Sequence, residues 1–343
     1  MKYNEADSCK RLFEKLGNPQ SDLSFVHIES CFGRESVSAY VGTVLKCAGY
    51  KVGRYVTTDV FEEREHFQVG GRMISKKGFC ELTEKCREIC DGIVAEGHPH
   101  PAPGDVEAAM AFWYFRQQEC DVVLLEDKNE KTDCMIDLPA ARKIKYGLEK
   151  QKFDYREWKN LEISQVGVSQ IQIAIFAIEI LQKMGTQGYE ISEKALRKGL
   201  LATSCSGQFS VISKKPYFVV DCVSHINHAI NLVQSMEVYF ANKRIIFAIA
   251  MTCDAEYEQI IRLTHKYADW IITVAPQAES RALSSYELAA EVTKVHANVT
   301  AVDSPEEAVE ISRLLAGKED VVIAFGPHSF IRRLMEIAKN SKL

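Results

Sequence analysis

The stretch FVHIESCFGRESV, residues 25–37, decides the fold. It predicts an apolar strand at residues 24–29, a loop that contains Gly33, and a helix over residues 36–48. A second strand is expected at residues 52–57, and this β-α-β beginning is typical of a parallel sheet covered by helices. Strand, loop and helix in this order are also the setting in which glycine-rich loops hold phosphate groups.

Two α/β patterns follow each other along the rest of the chain. In the first, the apolar run at residues 121–126 predicts a buried parallel strand, and residues 144–167 predict paired strands. Residues 203–207 (TSCSG) are small and turn-like, and the domain boundary is placed there. From Gln208 on, strands and helices alternate, which predicts a doubly wound sheet. The expected domains are residues 1–204 and 205–343.

The composition argues against several classes of partner. Lysine and arginine number 42 against 47 acidic residues, a net charge of −5, which disfavours nucleic acid and an anionic membrane surface. The longest apolar stretch, residues 171–181, is too short to span a bilayer, and the charged N-terminus has no signal-peptide pattern. Without a secretion signal, the 11 cysteines favour reduced thiols and a cytoplasmic location.

One group of residues has the side-chain types of a zinc site: Cys80, Cys86, Cys90, His98 and His100. Their spacing is not C-x2-C. Cys86 and Cys90 share one face of a predicted helix, so small apolar side chains that face a core explain the pattern better than zinc does.

Several ordered segments resemble one family. Besides residues 25–37, they are GGRMISKKGF (70–79), AAMAFWYF (108–115), DVVLLE (121–126), IKYGLEKQKFDY (144–155), EISQVGVSQIQIAIFAIEIL (162–181), GQFSVISKKPYFVVD (207–221) and APQAESRALSSYEL (275–288). On these segments the chain resembles the folylpolyglutamate synthase/dihydrofolate synthase family of the Mur ligase superfamily. The resemblance implies a shortened, P-loop-like Mur ligase central domain followed by a doubly wound, Rossmann-like C-terminal domain. It also implies ATP, magnesium and the joining of glutamate to a folate.

The loop departs from the family pattern H-V-A-G-T-N-G-K-G-S-T. Gly33 and Ser36 keep their places, but Arg34 replaces the lysine, and Glu29, Ser30, Phe32 and Glu35 replace small or neutral residues. A carboxylate beside a phosphate costs about 1 kcal/mol or more at about 4 Å. The resemblance makes Gly33, Arg34 and Ser36 a remnant of a nucleotide site, with Ser36 also a remnant metal ligand.

Other family positions have changed as well. Glu126 matches a glutamate associated with magnesium, but DKNEK follows it without glycines, and a long stretch with metal ligands is missing between Asp133 and Ile144. Ser169 and Ile173 replace a histidine and an asparagine around the retained Gln170. Further on, Gln208 replaces an arginine that contacts ATP in the family. Asp221 is retained, and the histidine of the same motif appears as His225, displaced by one position. Near the start of the chain, residues 56–60 lack the proline and histidine of the family's substrate-side segment.

The retained residues also have structural interpretations. Gly33 fits a turn that needs a positive φ, and Ser36 fits a helix N-cap. Glu126 fits a solvated carboxylate as well as a remnant metal ligand. Asp221 and His225, the candidate catalytic residues, lie near the carboxyl end of a predicted strand, where ligands often bind in such sheets. His225 also fits a neutral, hydrogen-bonded histidine at a domain contact.

Three functions compete at this point. The preferred one is a catalytically silent relative (a pseudoenzyme) that binds a small molecule, an intact ligase paralogue or a second copy of itself, with no cofactor. The alternative is an active ATP-dependent ligase that adds glutamate to tetrahydrofolate and needs Mg and ATP. The third is a different enzyme that uses Cys31 or Cys222.

Overall fold

A computed structural model of the chain describes residues 5–28, 33–56, 62–126, 141–205, 207–254, 256–276 and 281–340. The chain divides into two compact units. Unit 1 comprises Met1–Pro139 and Ile173–Thr203, and unit 2 comprises Ala140–Gln172 and Ser204–Leu343. The chain passes for the last time from unit 1 to unit 2 between Thr203 and Ser204, next to the expected boundary. Residues 140–172, which were expected in the first domain, belong to unit 2. The domains expected from the family resemblance stay a prediction.

The helices and strands of the described residues have the following bounds. The helices are α1 Glu5–Lys15, α2 Arg34–Ala48, α3 Lys76–Ala95, α4 Pro103–Gln117, α5 Ser169–Thr186, α6 Glu193–Ala202, α7 Ile226–Tyr239, α8 Tyr257–Thr264, α9 Ser285–Thr293, α10 Pro305–Leu315 and α11 His328–Asn340. The strands are β1 Phe25–Ile28, β2 Val52–Tyr55, β3 Phe67–Val69, β4 Arg72–Met73, β5 Val122–Glu126, β6 Arg142–Lys145, β7 Gln151–Tyr155, β8 Trp158–Ile163, β9 Ser210–Lys214, β10 Tyr217–Cys222, β11 Ile245–Ile249, β12 Trp270–Val274, β13 Val299–Val302 and β14 Val321–Gly326. Among the residues described, no helix is long and apolar enough to cross a membrane.

The sheet of unit 1 has the order β1-β5-β2-β3-β4. The first three strands are parallel, and β3 and β4 add an antiparallel edge that was not expected from the sequence. Helix α2 begins at Arg34, two residues before the expected start, because Gly33 is its N-cap residue with φ 63°. Ser36 therefore lies inside the helix, and its interpretation as the N-cap was wrong.

Helices α2 and α6 pack together at very short range in unit 1. A Cβ placed on Gly199 of α6 would lie 2.5 Å from the Cα of Val44 in α2, so only glycine fits at this contact. The start of α6 is stabilised as the sequence predicts, since the backbone N–H of Ala195 donates to Oγ of Ser192 at 3.2 Å.

The main sheet of unit 2 has the order β13-β12-β11-β14-β10-β9, in which all neighbours are parallel except the β10–β9 pair. Its central strand β14 is buried throughout, with helices packed on both faces. This confirms the doubly wound sheet. A separate antiparallel sheet, β6-β7-β8, is formed by the residues expected to give paired strands.

Candidate functional site

The amino end of α2 is where the family resemblance places a phosphate loop. Glu29, Ser30, Cys31 and Phe32 lie outside the described residues, so the structure addresses this site through Gly33 and the helix that follows. Gly33 adopts the left-handed conformation, as its interpretation as a turn glycine predicts, and its carbonyl accepts from the N–H of Val37 at 2.8 Å.

An isoleucine from α5 lies directly on this glycine. A Cβ on Gly33 would lie 2.6 Å from Cδ1 and 3.0 Å from Cγ1 of Ile173, and Ile173 is only 3% exposed. Ile173 is the residue that stands in place of the family asparagine. An apolar side chain thus packs against Gly33 from the position at which the resemblance implies a polar asparagine.

Ser36 and Arg34 occupy the first turn of α2. Ser36 is fully buried, and Arg34 is half-buried at the first helical position. A hydroxyl that binds a metal–nucleotide complex must be accessible to it. The burial of Ser36, like the packing of Ile173 on Gly33, therefore argues against nucleotide binding at this turn.

Glu126, the proposed metal ligand, ends β5 in contact with an arginine. Its Oε1 accepts from Nη2 of Arg54 at 3.3 Å, and the side chain of Glu126 is fully buried. Burial raises the pKa of Glu126, the positive charge of Arg54 opposes this shift, and the negative charge of Glu35 adds to it. Glu126 is thus not a solvated carboxylate, and that interpretation was wrong.

The guanidinium of Arg54 lies 3.3 Å from Oε1 of Glu126, the carboxylate that the resemblance makes a metal ligand. A magnesium ion requires several oxygen ligands at short range, whereas Oε1 of Glu126 already faces a permanent cation. The residues present therefore do not fit the implied metal. The sequence reasoning missed Arg54, although a lone arginine in the apolar strand VGRY was a visible signal.

In unit 2, Gln208 pairs with the retained Gln170. Nε2 of Gln170 donates to Oε1 of Gln208 at 3.1 Å, and Gln170 is buried. Gln170 and Gln208 form a neutral amide pair. This pair lacks the positive charge that an arginine at position 208, as the resemblance implies, would bring to a phosphate.

Asp221 lies near the carboxyl end of β10. Its Oδ1 accepts from the backbone N–H of Phe209 at 3.0 Å. Burial raises the pKa of Asp221 to about 7, while hydrogen bonds from the backbone N–H groups of Phe209 and Cys222 act in the opposite direction. Asp221 is therefore held by backbone donors and poised to bind a proton near neutral pH.

His225 is exposed at the N-cap position of α7, without a side-chain capping bond. Its ring centroid lies 5.7 Å from that of His228, which is half-buried. Burial, together with the nearby charges of His225 and His328, lowers the pKa of His228 to about 4. The sequence reasoning missed His228 and His328, because their meeting depends on the β10–β14 pairing between distant segments.

The remaining sequence-based candidates are distributed as follows. Cys86 and Cys90 are buried in the core of unit 1, whereas Cys80 is exposed, and no group of three or more potential ligands among the described residues could hold a metal ion. Cys222 is half-buried. Cys31, residues 57–60 and residues 127–131 lie outside the described part of the chain.

Comparison with known proteins finds related sequences along the chain. A family model described as Mur ligase, glutamate ligase domain, matches residues 207–328. Dihydrofolate synthase/folylpolyglutamate synthase of Bacillus subtilis is 20% identical over 403 aligned positions, which cover 94% of this chain and 92% of that protein. Because these positions outnumber the 343 residues of the chain, the relative has segments without a counterpart here.

A probable bifunctional folylpolyglutamate synthase/dihydropteroate synthase of Haloferax volcanii is 31% identical over 120 residues, which cover 35% of this chain and 14% of that protein.

Solved structures show the same fold. Folylpolyglutamate synthase from Thermotoga maritima superposes with a TM-score of 0.80 at 21% identity, covering 99% of this chain and 94% of that chain. Mycobacterium tuberculosis folylpolyglutamate synthase complexed with ADP gives a TM-score of 0.84 at 14% identity, covering 98% of this chain and 95% of that one.

Proposed function

We propose that this chain, which belongs to the folylpolyglutamate synthase/dihydrofolate synthase family of Mur ligases, is a catalytically silent member that keeps the scaffold for binding. The bound molecule is a small metabolite, an intact ligase paralogue or a second copy of the chain. Neither ATP nor magnesium takes part, and the protein acts in the cytoplasm.

The observation that carries this proposal is the packing of Ile173 on Gly33. Transfer of a phosphoryl group needs positioned donors and cations around the phosphates. Here an isoleucine lies on the loop glycine and the hydroxyl of Ser36 is fully buried. The neutral pair of Gln170 and Gln208 supports the same conclusion in unit 2.

The alternative is an active ATP-dependent ligase that adds glutamate to a tetrahydrofolate. It is favoured by the nearly complete coverage of the Bacillus subtilis enzyme, 92% of its length. In that case Mg and ATP would be required, and Ile173 would have to lie further from Gly33 than it does here.

A direct assay separates the two. The purified chain is titrated with Mg-ATP by calorimetry and assayed for glutamate-dependent phosphate release with a tetrahydrofolate. We expect no saturable heat and no release above a protein-free blank. Turnover that is abolished by Ser36→Ala but retained by Ser312→Ala, an equally buried helical serine of unit 2, would overturn the proposal.

The binding role has its own test. Light scattering after size exclusion measures self-association, co-purification with the intact ligase paralogue tests a partner, and thermal shift with folates and glutamate tests a small ligand. A response in one of these three is expected. A monomer that responds in none of them would overturn the binding role.

A further inference from the structure

The guanidinium of Arg54 is surrounded by oxygen acceptors. Nε donates to Oγ of Ser38 at 2.9 Å, and Nη1 donates to Oε1 of Gln68 at 3.4 Å. Nη2 donates to the carbonyl oxygen of Glu35 at 3.3 Å and to Oε1 of Glu126 at 3.3 Å. Every nitrogen of the guanidinium is thus engaged, which fixes the plane of the group.

Four elements of unit 1 hold these groups together, and Gln68 lies on β3, in register with Arg54 of β2. Arg54 of β2 is in register with Leu124 of β5, and Glu126 lies two residues further on, so both side chains project from the same face of the sheet. Helix α2 covers this face with Glu35 and Ser38, which are three residues apart and therefore neighbours on the helix surface. The arrangement is built by regular backbone and does not depend on a loop.

The pair is nearly closed to solvent. The side chain of Arg54 is 14% exposed and that of Glu126 is 0% exposed. A buried carboxylate needs a counter-charge, and arginine cannot give up its proton at any physiological pH.

We infer that Arg54 is the permanent counter-cation of Glu126, so that the end of β5 takes no divalent metal ion, and that removing its guanidinium opens a latent divalent-cation site. The ligands of that site are Oε1 of Glu126, Oγ of Ser38 and the carbonyl oxygen of Glu35, the oxygen donors that hard divalent cations prefer. The inference rests on the Arg54–Glu126 geometry and not on the proposed silence of the chain. In this inference, the guanidinium of Arg54 takes the place of the metal ion that the family resemblance implies.

The test uses Mn²⁺ alone as the probe, followed by water-proton relaxation, on the full chain. The variants are Arg54→Met, Arg54→Met with Glu126→Gln, and Arg197→Met as a control. Arg197 also pairs with one carboxylate, that of Glu193 at 2.7 Å, but these two side chains are 36% and 61% exposed.

Arg54→Met is expected to bind Mn²⁺ at least about tenfold more tightly than the wild type, the lower end of what one group around a metal site contributes. The double variant and Arg197→Met are expected to match the wild type. Mn²⁺ should also raise the unfolding temperature of Arg54→Met alone, because a ligand that binds the folded state stabilises it. Equal Mn²⁺ affinity in Arg54→Met and the double variant would overturn the inference.

A second variant covers the case in which Arg54→Met does not fold. Glu126→Gln alone is expected to leave the Mn²⁺ affinity of the protein unchanged, since Glu126 already faces Arg54. A tenfold loss of Mn²⁺ affinity in Glu126→Gln would show that the wild type binds the metal through this carboxylate, and the inference would fail. The Mn²⁺ measurements and the ligase assay test different proposals. Turnover in the ligase assay would refute the silent function, but it would not change the expected Mn²⁺ affinities.

Discussion

Ile173 lies so close to Gly33 that a Cβ on the glycine would be 2.6 Å from Cδ1 of the isoleucine. The contact joins the first turn of α2 to α5 within unit 1. It has energetic consequences that can be measured without knowledge of any ligand.

Gly33→Ala is expected to lower the free energy of unfolding by about 1–3 kcal/mol, because φ is positive and the new methyl group overlaps Ile173. Ile173→Ala in the same chain should relieve the overlap but not the strain in φ. Urea unfolding of both single variants and the double variant gives the coupling energy. Strictly additive effects would show that the two side chains do not meet.

Gly199→Ala is expected to destabilise the protein by about 1–3 kcal/mol, although alanine is the better helix former, because its Cβ would lie 2.5 Å from the Cα of Val44. The matched control is Gly185→Ala in α5, where nothing lies within 4 Å of an added Cβ. The control should be neutral or stabilising by up to about 1 kcal/mol. Equal urea midpoints for the two variants would contradict the close packing of α2 and α6.

The free energy of unfolding of the wild type is expected to fall as pH rises from about 4 to about 7, and Asp221→Asn is expected to abolish this fall. The folded pKa of Asp221 is raised from 3.8 to about 7, so the folded state holds this proton more tightly than the unfolded state does. Stability therefore falls as the proton is lost across that window, by at most a few kcal/mol at about 1.4 kcal/mol per pKa unit. Urea unfolding at several pH values, with Asp254→Asn on the surface as control, measures the difference. A difference between Asp221→Asn and wild type that does not vary with pH would refute this.

His228→Gln is expected to change the pH dependence in the opposite sense. The folded pKa of His228 is lowered from 6.5 to about 4, so the unfolded state takes up the proton first. The wild type should lose stability as pH falls from about 6.5 to about 4, and the variant should lose less. NMR titration of the ring of His228 gives the pKa directly. A value near 6.5 would contradict the burial of this side chain.

Local patterns predicted much of the fold. The β1-α2-β2 beginning, the apolar strand β5 and the alternation in unit 2 follow from periodicity and from breaker residues, and these elements lie within a few residues of their expected positions. Strands β3 and β4 were missed because, at three and two residues, they are too short to show an alternating pattern. The positive φ of Gly33 was predicted from its place between strand and helix.

The contacts of the candidate site depend on long-range packing. Arg54 and Glu126 are 72 residues apart, and they meet because β5 inserts beside β2 in the sheet. Ile173 reaches Gly33 only through the packing of α5 in unit 1. Sequence comparison with a family pattern indicated that polar residues had been replaced, but not which side chain would fill the space.

The alternation of units along the chain bears on how the protein is made. Residues 140–172 leave the ribosome before residues 173–203, yet they belong to unit 2, whose main sheet is synthesised last. The backbone N–H groups of Gly167 and Val168 donate to Tyr239 and Ser235 of α7, and Val166 is part of the same core. The segment just after the sheet β6-β7-β8 can therefore form these contacts only once α7 has emerged, and a fragment that starts at residue 205 would lack Val166 from its core.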